Sequence, residues 1–97
     1  MYTATMNYRF KPEDFEKACA LWEYHVFDAA RGQAGFVRMQ FLIDKPQAMA
    51  IGTWQKKADA EAFMNTGVFK RLMAALEGYC DGQPSPHIWE LKYFAQA

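Results

Sequence analysis

The first ten residues alternate between apolar and polar side chains. Successive side chains of a strand point to opposite faces, so this period of two predicts a β-strand over residues 2–10. The even positions hold Tyr2, Ala4, Met6, Tyr8 and Phe10, and the odd positions hold Thr3, Thr5, Asn7 and Arg9. Period two alone does not say which of the two sets faces the core.

A helical period replaces the alternation after Pro12. Apolar residues then recur every three or four positions, and the acidic residues that follow Pro12 suit the start of a helix. We predict a helix that Gly32 ends. Its apolar stripe consists of Phe15, Ala18, Cys19, Trp22, Val26 and Ala29. His25 lies at the edge of this stripe.

The middle of the chain predicts a hairpin and a divided helix. The strand-like runs 36–43 and 48–55 are joined by residues 44–47, whose Asp and Pro are turn formers. A helical stretch begins at Ala58, but Asn65 and Gly67 interrupt it, and Thr66 can cap a new start.

The end of the chain predicts one more strand. Residues 81–86 are rich in Gly and Pro, so we expect them neither to continue a helix nor to join a sheet. Residues 88–94 then form the last strand.

This order of elements predicts an α+β fold of ferredoxin-like βαββαβ topology, with one domain over residues 1–97. Two helices cover one face of a single antiparallel sheet. The other face carries too many apolar side chains to lie in water, so we expect it to pair with a twin sheet in a homodimer.

Composition and charge argue against several classes of function. Eleven basic and eleven acidic residues give a pI of about 6.7, which argues against nucleic acid as a partner. No apolar run is long enough for a membrane span, and we expect a cytoplasmic protein. Cys19 and Cys80 are far apart without a metal-ligand spacing, so we expect packed, reduced thiols rather than a disulfide or a metal site.

Three stretches of the sequence carry a family resemblance. They are Gly35-Phe36-Val37-Arg38, Gly52-Thr53-Trp54-Gln55 and the helical run from Ala60 to Lys70. Their order and spacing resemble the antibiotic biosynthesis monooxygenase family, whose members are dimeric α/β barrels. The resemblance spans nearly the whole chain and implies the same fold.

The activities of that family vary. Some members oxidise polycyclic phenols with molecular oxygen and no bound cofactor, some degrade haem, and others handle small metabolites. Haem-degrading members pair a first-strand Asn with a Trp and a His on the second helix. Asn7 matches, but Phe63 and Met73 stand at the other two positions, so the resemblance does not favour haem degradation.

Two residues are candidate catalytic groups. Asn7 is a polar amide within a strand, where it either orients a substrate hydroxyl and stabilises an oxyanion or is a hydrogen-bonded interface amide. Core packing favours turning the even positions toward the helices, whereas the resemblance favours turning Asn7 there. His25 is either a general base for a phenol or a packing residue.

Several aromatic side chains and one arginine are candidate substrate contacts. The aromatic rings could line a flat pocket or belong to the core, and these residues are Trp22, Trp54, Phe63, Phe69 and Trp89. Arg38 needs a partner, which could be Glu90, a second subunit or an anionic oxygen of the substrate.

These observations lead to two functional hypotheses. The first is a cofactor-independent monooxygenase that oxidises a small phenolic or polyketide-like compound, because the chain lacks any flavin, nicotinamide, haem or metal motif. The second is a non-catalytic dimeric module that binds a small hydrophobic metabolite or a partner. An enclosed cavity that contains Asn7 and His25 would favour the first.

Overall fold

The computed structural model describes residues 1–97 and has the predicted α+β, ferredoxin-like architecture. Four antiparallel strands form one sheet in the order β2–β3–β1–β4, with three helices. The elements are β1 (Tyr2–Arg9), α1 (Phe15–Arg31), β2 (Phe36–Asp44), β3 (Gln47–Trp54), α2 (Lys57–Met64), α3 (Gly67–Ala75) and β4 (Ser85–Glu90). A short 3₁₀ turn, Pro12–Asp14, leads into α1.

The second helical region divides where the sequence predicted. The Thr66 side chain accepts a hydrogen bond from the Val68 N–H at 3.4 Å and donates one to the Phe63 carbonyl at 2.7 Å. One hydroxyl therefore joins the end of α2 to the start of α3. The predicted break in this helix is confirmed.

The prediction for the last strand is wrong at both ends. β4 begins at Ser85 and includes Pro86, although this segment was expected to stay outside the sheet. A proline is tolerated here because β4 is an edge strand with no neighbour on its outer side. The strand ends at Glu90, and after the Leu91 N–H donates to the Met1 carbonyl at 3.0 Å the tail leaves the sheet.

The even positions of β1 face the helices. Tyr8 and Phe10 are buried there, and the neighbouring β3 contributes Ala48, Ala50 and Trp54 to the same layer. The argument from core packing is therefore right, and Asn7 lies on the opposite face of the sheet. The helices complete the core with Phe15, Ala18, Trp22, Val26, Ala30, Ala60, Phe63, Val68 and Leu72, and Leu76, which follows α3, joins them.

The face of the sheet away from the helices, which we call the open face, mixes apolar and polar side chains. Residues paired directly across antiparallel strands share a face, so the register assigns this one. It carries Thr3, Thr5, Asn7, Arg38, Gln40, Leu42, Met49, Ile51, Thr53, His87 and Trp89. The Trp89 indole N–H donates to the Thr5 hydroxyl at 2.9 Å, yet the Trp89 residue remains 53% exposed.

Candidate functional site

The sheet divides the residues that the sequence singled out as a site. Asn7, Arg38 and Trp89 lie on the open face. Four aromatic residues and one histidine lie on the helix side, namely Trp22, Trp54, Phe63, Phe69 and His25. The eight residues do not converge on one cavity within the chain.

Asn7 is exposed near one end of the open face. It borders a shallow depression of about 200 Å³, together with Leu42, Asp44, Gln47 and Met49. Its side-chain amide makes no hydrogen bond within the chain. The amide is therefore free to bind a polar group of a ligand or of another subunit.

Arg38 occupies the same face beside the C-terminal tail. Its guanidinium lies over the Phe94 ring, 4.8 Å from the centroid, and the two residues border a shallow depression with Thr53 and Leu91. Of the partners considered for Arg38, Glu90 forms no ion pair with it, since the one ion pair within the chain joins Arg31 to Asp28. An aromatic ring is instead its contact.

His25 is half-buried on α1 and its imidazole meets the Tyr24 ring nearly edge-on, with ring centroids 5.1 Å apart. Helical geometry places it on one flank of the buried stripe that runs through Trp22. The residues of α1 that line a groove against β2 lie on the opposite flank. His25 therefore does not line that groove.

The groove, which we call the α1–β2 groove, is the largest cavity on the helix side at about 400 Å³. It runs along the edge strand β2, and its lining residues are Glu16, Cys19, Ala20, Trp22, Glu23, Phe27, Phe41 and Ile43. Trp22 stacks on Phe41 at 4.2 Å and meets Phe27 edge-on at 5.2 Å. Its size and aromatic wall suit a small planar compound.

Three titratable side chains line this groove, namely the carboxylic groups of Glu16 and Glu23 and the thiol of Cys19. Burial raises the pKa of the Cys19 thiol, and the Glu16 carboxylate raises it further. Because the nucleophilic form of cysteine is the thiolate, Cys19 is a weak nucleophile. Glu16 and Glu23 place their carboxylates along the groove, which disfavours an anionic ligand at that edge.

The other predicted aromatic residues on the helix side form a packed cluster. Phe63 lies 5.0 Å from Trp54 and 5.4 Å from Phe69, and both Trp54 and Phe63 are fully buried. These rings fill the space between α2, α3 and the sheet. In this conformation they act as core rather than as pocket walls.

Sequence reasoning missed Tyr8. Its hydroxyl and the indole N–H of Trp22 are both buried side by side, and the indole N–H interacts with the phenol oxygen without reaching the geometry of a full hydrogen bond. Burial raises the pKa of Tyr8 above its usual range; the Trp22 indole opposes this rise and Cys80 adds to it. A signal was present, because a tyrosine on the core side of a strand needs a partner for its hydroxyl.

No three His, Cys, Asp or Glu side chains of the chain form a group that could hold a metal ion. None of the helices has both the length and the apolar character that a membrane span requires.

By sequence, the chain matches no family model and no curated protein. By structure, the chain superimposes over nearly its full length on a crystal structure described as an antibiotic biosynthesis monooxygenase. The TM-score is 0.80 and the sequence identity is 16%, and the superposition covers 96% of this chain and 100% of the other. The chain has the fold of the antibiotic biosynthesis monooxygenases. The resemblance stated from the sequence is thereby confirmed at the level of the fold.

Two further solved structures share this fold. A candidate antibiotic biosynthesis monooxygenase from Deinococcus radiodurans gives a TM-score of 0.84 at 12% identity, covering 100% of this chain and 98% of the other. A Nitrosomonas europaea protein of unknown function gives 0.84 at 15% identity, with 99% and 93% coverage. At these identities the similarity concerns the fold and not the substrate.

Proposed function

We propose that this protein is a cytoplasmic, homodimeric, cofactor-independent monooxygenase that oxidises a small, electron-rich aromatic compound with molecular oxygen. The observation that carries the proposal is the aromatic α1–β2 groove on a fold shared with antibiotic biosynthesis monooxygenases. The groove has the volume and the ring-lined wall that a phenolic or polyketide-like substrate requires.

The proposed reaction needs no reductant other than the substrate. A carbon acid such as anthrone loses a proton, and the resulting carbanion gives its electrons to oxygen. One oxygen atom becomes the new ring carbonyl and the other leaves as water, so one substrate and one dioxygen yield one quinone and one water. The protein has to supply a base, a partner for the anionic oxygen and a site protected from water.

Asn7 and His25 remain the proposed oxyanion partner and base, with Arg38 as a further contact for an anionic oxygen. Neither residue lines the α1–β2 groove, since Asn7 lies on the open face and His25 on the opposite flank of α1, so in the single chain a substrate held in the groove touches neither of them. The two residues therefore have to be tested separately. A water molecule in the groove, rather than His25, is the alternative base.

Oxygen uptake with anthrone and hydroquinone substrates is the direct test. We expect equal amounts of oxygen consumed and quinone formed from anthrone, with label from ¹⁸O₂ in the product and no hydrogen peroxide. Phe41→Ala and Phe27→Ala alter the groove and should change kcat/KM, whereas Tyr24→Ala, on the exposed side of α1, should not. An absence of uptake across the panel would refute the enzymatic proposal.

A second candidate function is a non-catalytic module that binds a small hydrophobic metabolite. The separation of Asn7 from His25 and the filled space around Trp54 and Phe63 favour it. Saturable binding of anthrone under anaerobic conditions, without oxygen uptake when air is admitted, would support this function instead.

The proposed homodimer forms through the open face. Four of the eight large apolar residues that are exposed in the single chain belong to this face or to the tail beside it, namely Leu42, Trp89, Tyr93 and Phe94. Pairing two such faces about a two-fold axis would cover both at once. Trp89 is then expected to lie within the contact.

A further inference from the structure

The α1–β2 groove has a charge pattern that the proposed function does not use. Two of its lining residues, Glu16 and Glu23, are acidic, and none is basic. The two glutamates are separated by two turns of α1, which places them on one face of the helix about 10 Å apart along its axis. A carboxylate therefore stands toward each end of the α1 wall of the groove.

Neither carboxylate is paired within the chain. The one ion pair joins Arg31 to Asp28, and no side-chain hydrogen bond involves Glu16 or Glu23. Residues three and four positions apart are neighbours on the surface of a helix. For these two glutamates, none of those positions holds a lysine or an arginine. Both carboxylates can therefore pair with a cation from outside the chain.

Two lysines that are close to the groove in sequence are directed elsewhere. Lys17 follows Glu16, but its ammonium group lies over the Tyr79 ring, 5.6 Å from the centroid. Lys45 follows β2, and its ammonium group lies 5.7 Å from the centroid of the Phe15 ring. Neither lysine lines the groove, so neither neutralises its negative charge.

The negative charge acts on the wall between the two glutamates. Cys19 lines this wall, and the pKa of its thiol is raised first by burial and then by the Glu16 carboxylate. A carboxylate that disfavours a negative charge on the Cys19 sulfur favours a positive charge at the same place.

Aromatic rings supply the rest of the binding surface. Phe27 and Phe41 line the groove and are half-buried, so part of each ring is exposed to a ligand. Such rings stack on other rings and attract cations to their faces. The volume of about 400 Å³ suits a small organic molecule, and no group of three potential metal ligands is present to hold a bare metal ion. The surface is thus complementary to an organic cation with an aromatic ring.

We propose that the α1–β2 groove selects planar aromatic compounds that carry a cationic amine. This inference rests on the proposed function for the aromatic character of the ligand and narrows its substrate class, but it concerns binding and not turnover. The ring of the ligand packs against Phe27 and Phe41, and its ammonium group lies beside Glu16 or Glu23. An anionic compound of the same shape is disfavoured.

The test compares three compounds that share a ring system and differ in charge, namely naphthylethylamine, naphthylethanol and naphthylacetate. None of them is a phenol or an anthrone, so their binding is measured by calorimetry without turnover. At low ionic strength we expect the amine to bind about tenfold more tightly than the alcohol, and the acetate to bind more weakly than the alcohol. Added salt should reduce the preference for the amine.

Substitutions assign this preference to the two carboxylates. Glu16→Gln and Glu23→Gln should each reduce the preference about threefold, and the double variant should abolish it. Both side chains are exposed, so the variants should remain folded. Glu61→Gln is the matched control, because it changes the net charge equally but lies exposed on α2, away from the groove. Phe27→Ala should weaken binding of the uncharged alcohol as well, since it removes a ring from the groove.

An equal affinity for the amine and the alcohol in the wild-type protein would overturn the inference. A loss of preference in Glu61→Gln as large as in the double variant would overturn it too. A preference for the amine that depends on Glu16 and Glu23, without oxygen uptake from any substrate, would support the inference and refute the monooxygenase. Oxygen uptake from anthrone with equal affinity for the three naphthyl compounds would do the reverse.

Discussion

Trp89→Ala tests the proposed dimer most directly. Trp89 stands on the open face beside His87, whose ring is 4.0 Å away, and its indole donates to Thr5. In an isolated chain the substitution removes a half-exposed ring and one exposed hydrogen bond, so it should cost at most about 1 kcal/mol of folding stability.

In a dimer that covers the open face, the same substitution should cost far more. A tryptophan side chain buries up to about 250 Å², and Trp89 is still 53% exposed in the single chain. About 130 Å² is thus left to cover, which at about 25 cal/mol per Å² is about 3 kcal/mol for each protomer. Two-fold symmetry doubles this to about 6 kcal/mol, or roughly a 10⁴-fold weaker dimer as an upper bound.

Sedimentation equilibrium over a range of protein concentrations measures this effect. Tyr24→Ala is the control, because Tyr24 is 80% exposed but lies on the outer side of α1. We expect a weakening of at least a hundredfold for Trp89→Ala and little change for Tyr24→Ala. A wild-type protein that stays monomeric at micromolar concentration, or equal effects of the two substitutions, would refute the reasoning.

Three further predictions concern stability and reactivity. Gly35→Ala should lower the free energy of unfolding, measured by urea denaturation, by about 2–3 kcal/mol, because Gly35 has a φ of +76° and an added Cβ would collide with the Asp59 side chain of α2. Gly78→Ala is the control, since Gly78 has a φ of +85° but open space around it, and should lower the free energy of unfolding by about 1 kcal/mol. Equal losses in the two variants would argue against the collision. Thr66→Ala should lower the free energy of unfolding by about 1 kcal/mol, and Thr66→Ser should lower it clearly less, because serine keeps the capping hydroxyl. Equal losses of stability in thermal unfolding would contradict the role of this hydroxyl as a cap. Burial raises the pKa of Cys19 and Cys80, which favours the thiol over the thiolate. At pH 8 both cysteines should therefore react with iodoacetamide more slowly than a peptide thiol does, and their reaction rates should increase only as the pH rises further. Reaction at the peptide rate, followed by mass spectrometry, would contradict that direction.

Local signals in the sequence determined the order of the elements. The end of α1 at Gly32 and the break at Thr66 were predicted correctly because a cap depends only on residues within a few positions of it. The hairpin between β2 and β3 was predicted for the same reason, since adjacent turn formers specify it. The bounds of β4 were not predicted correctly, because a proline such as Pro86 is tolerated in a strand only where that strand lies at the edge of a sheet.

The candidate site depended on contacts that no local pattern contains. Period-two alternation in β1 is the same whichever face is buried, so only the packed structure placed Tyr8 inside and Asn7 outside. Tyr8, Trp22 and Phe41 come from three different elements, and their rings meet only when the sheet and α1 pack together. The sequence by itself determined the elements and the aromatic side chains available for a site; the tertiary structure decided which of them meet, because a shared cavity depends on the packing of distant segments.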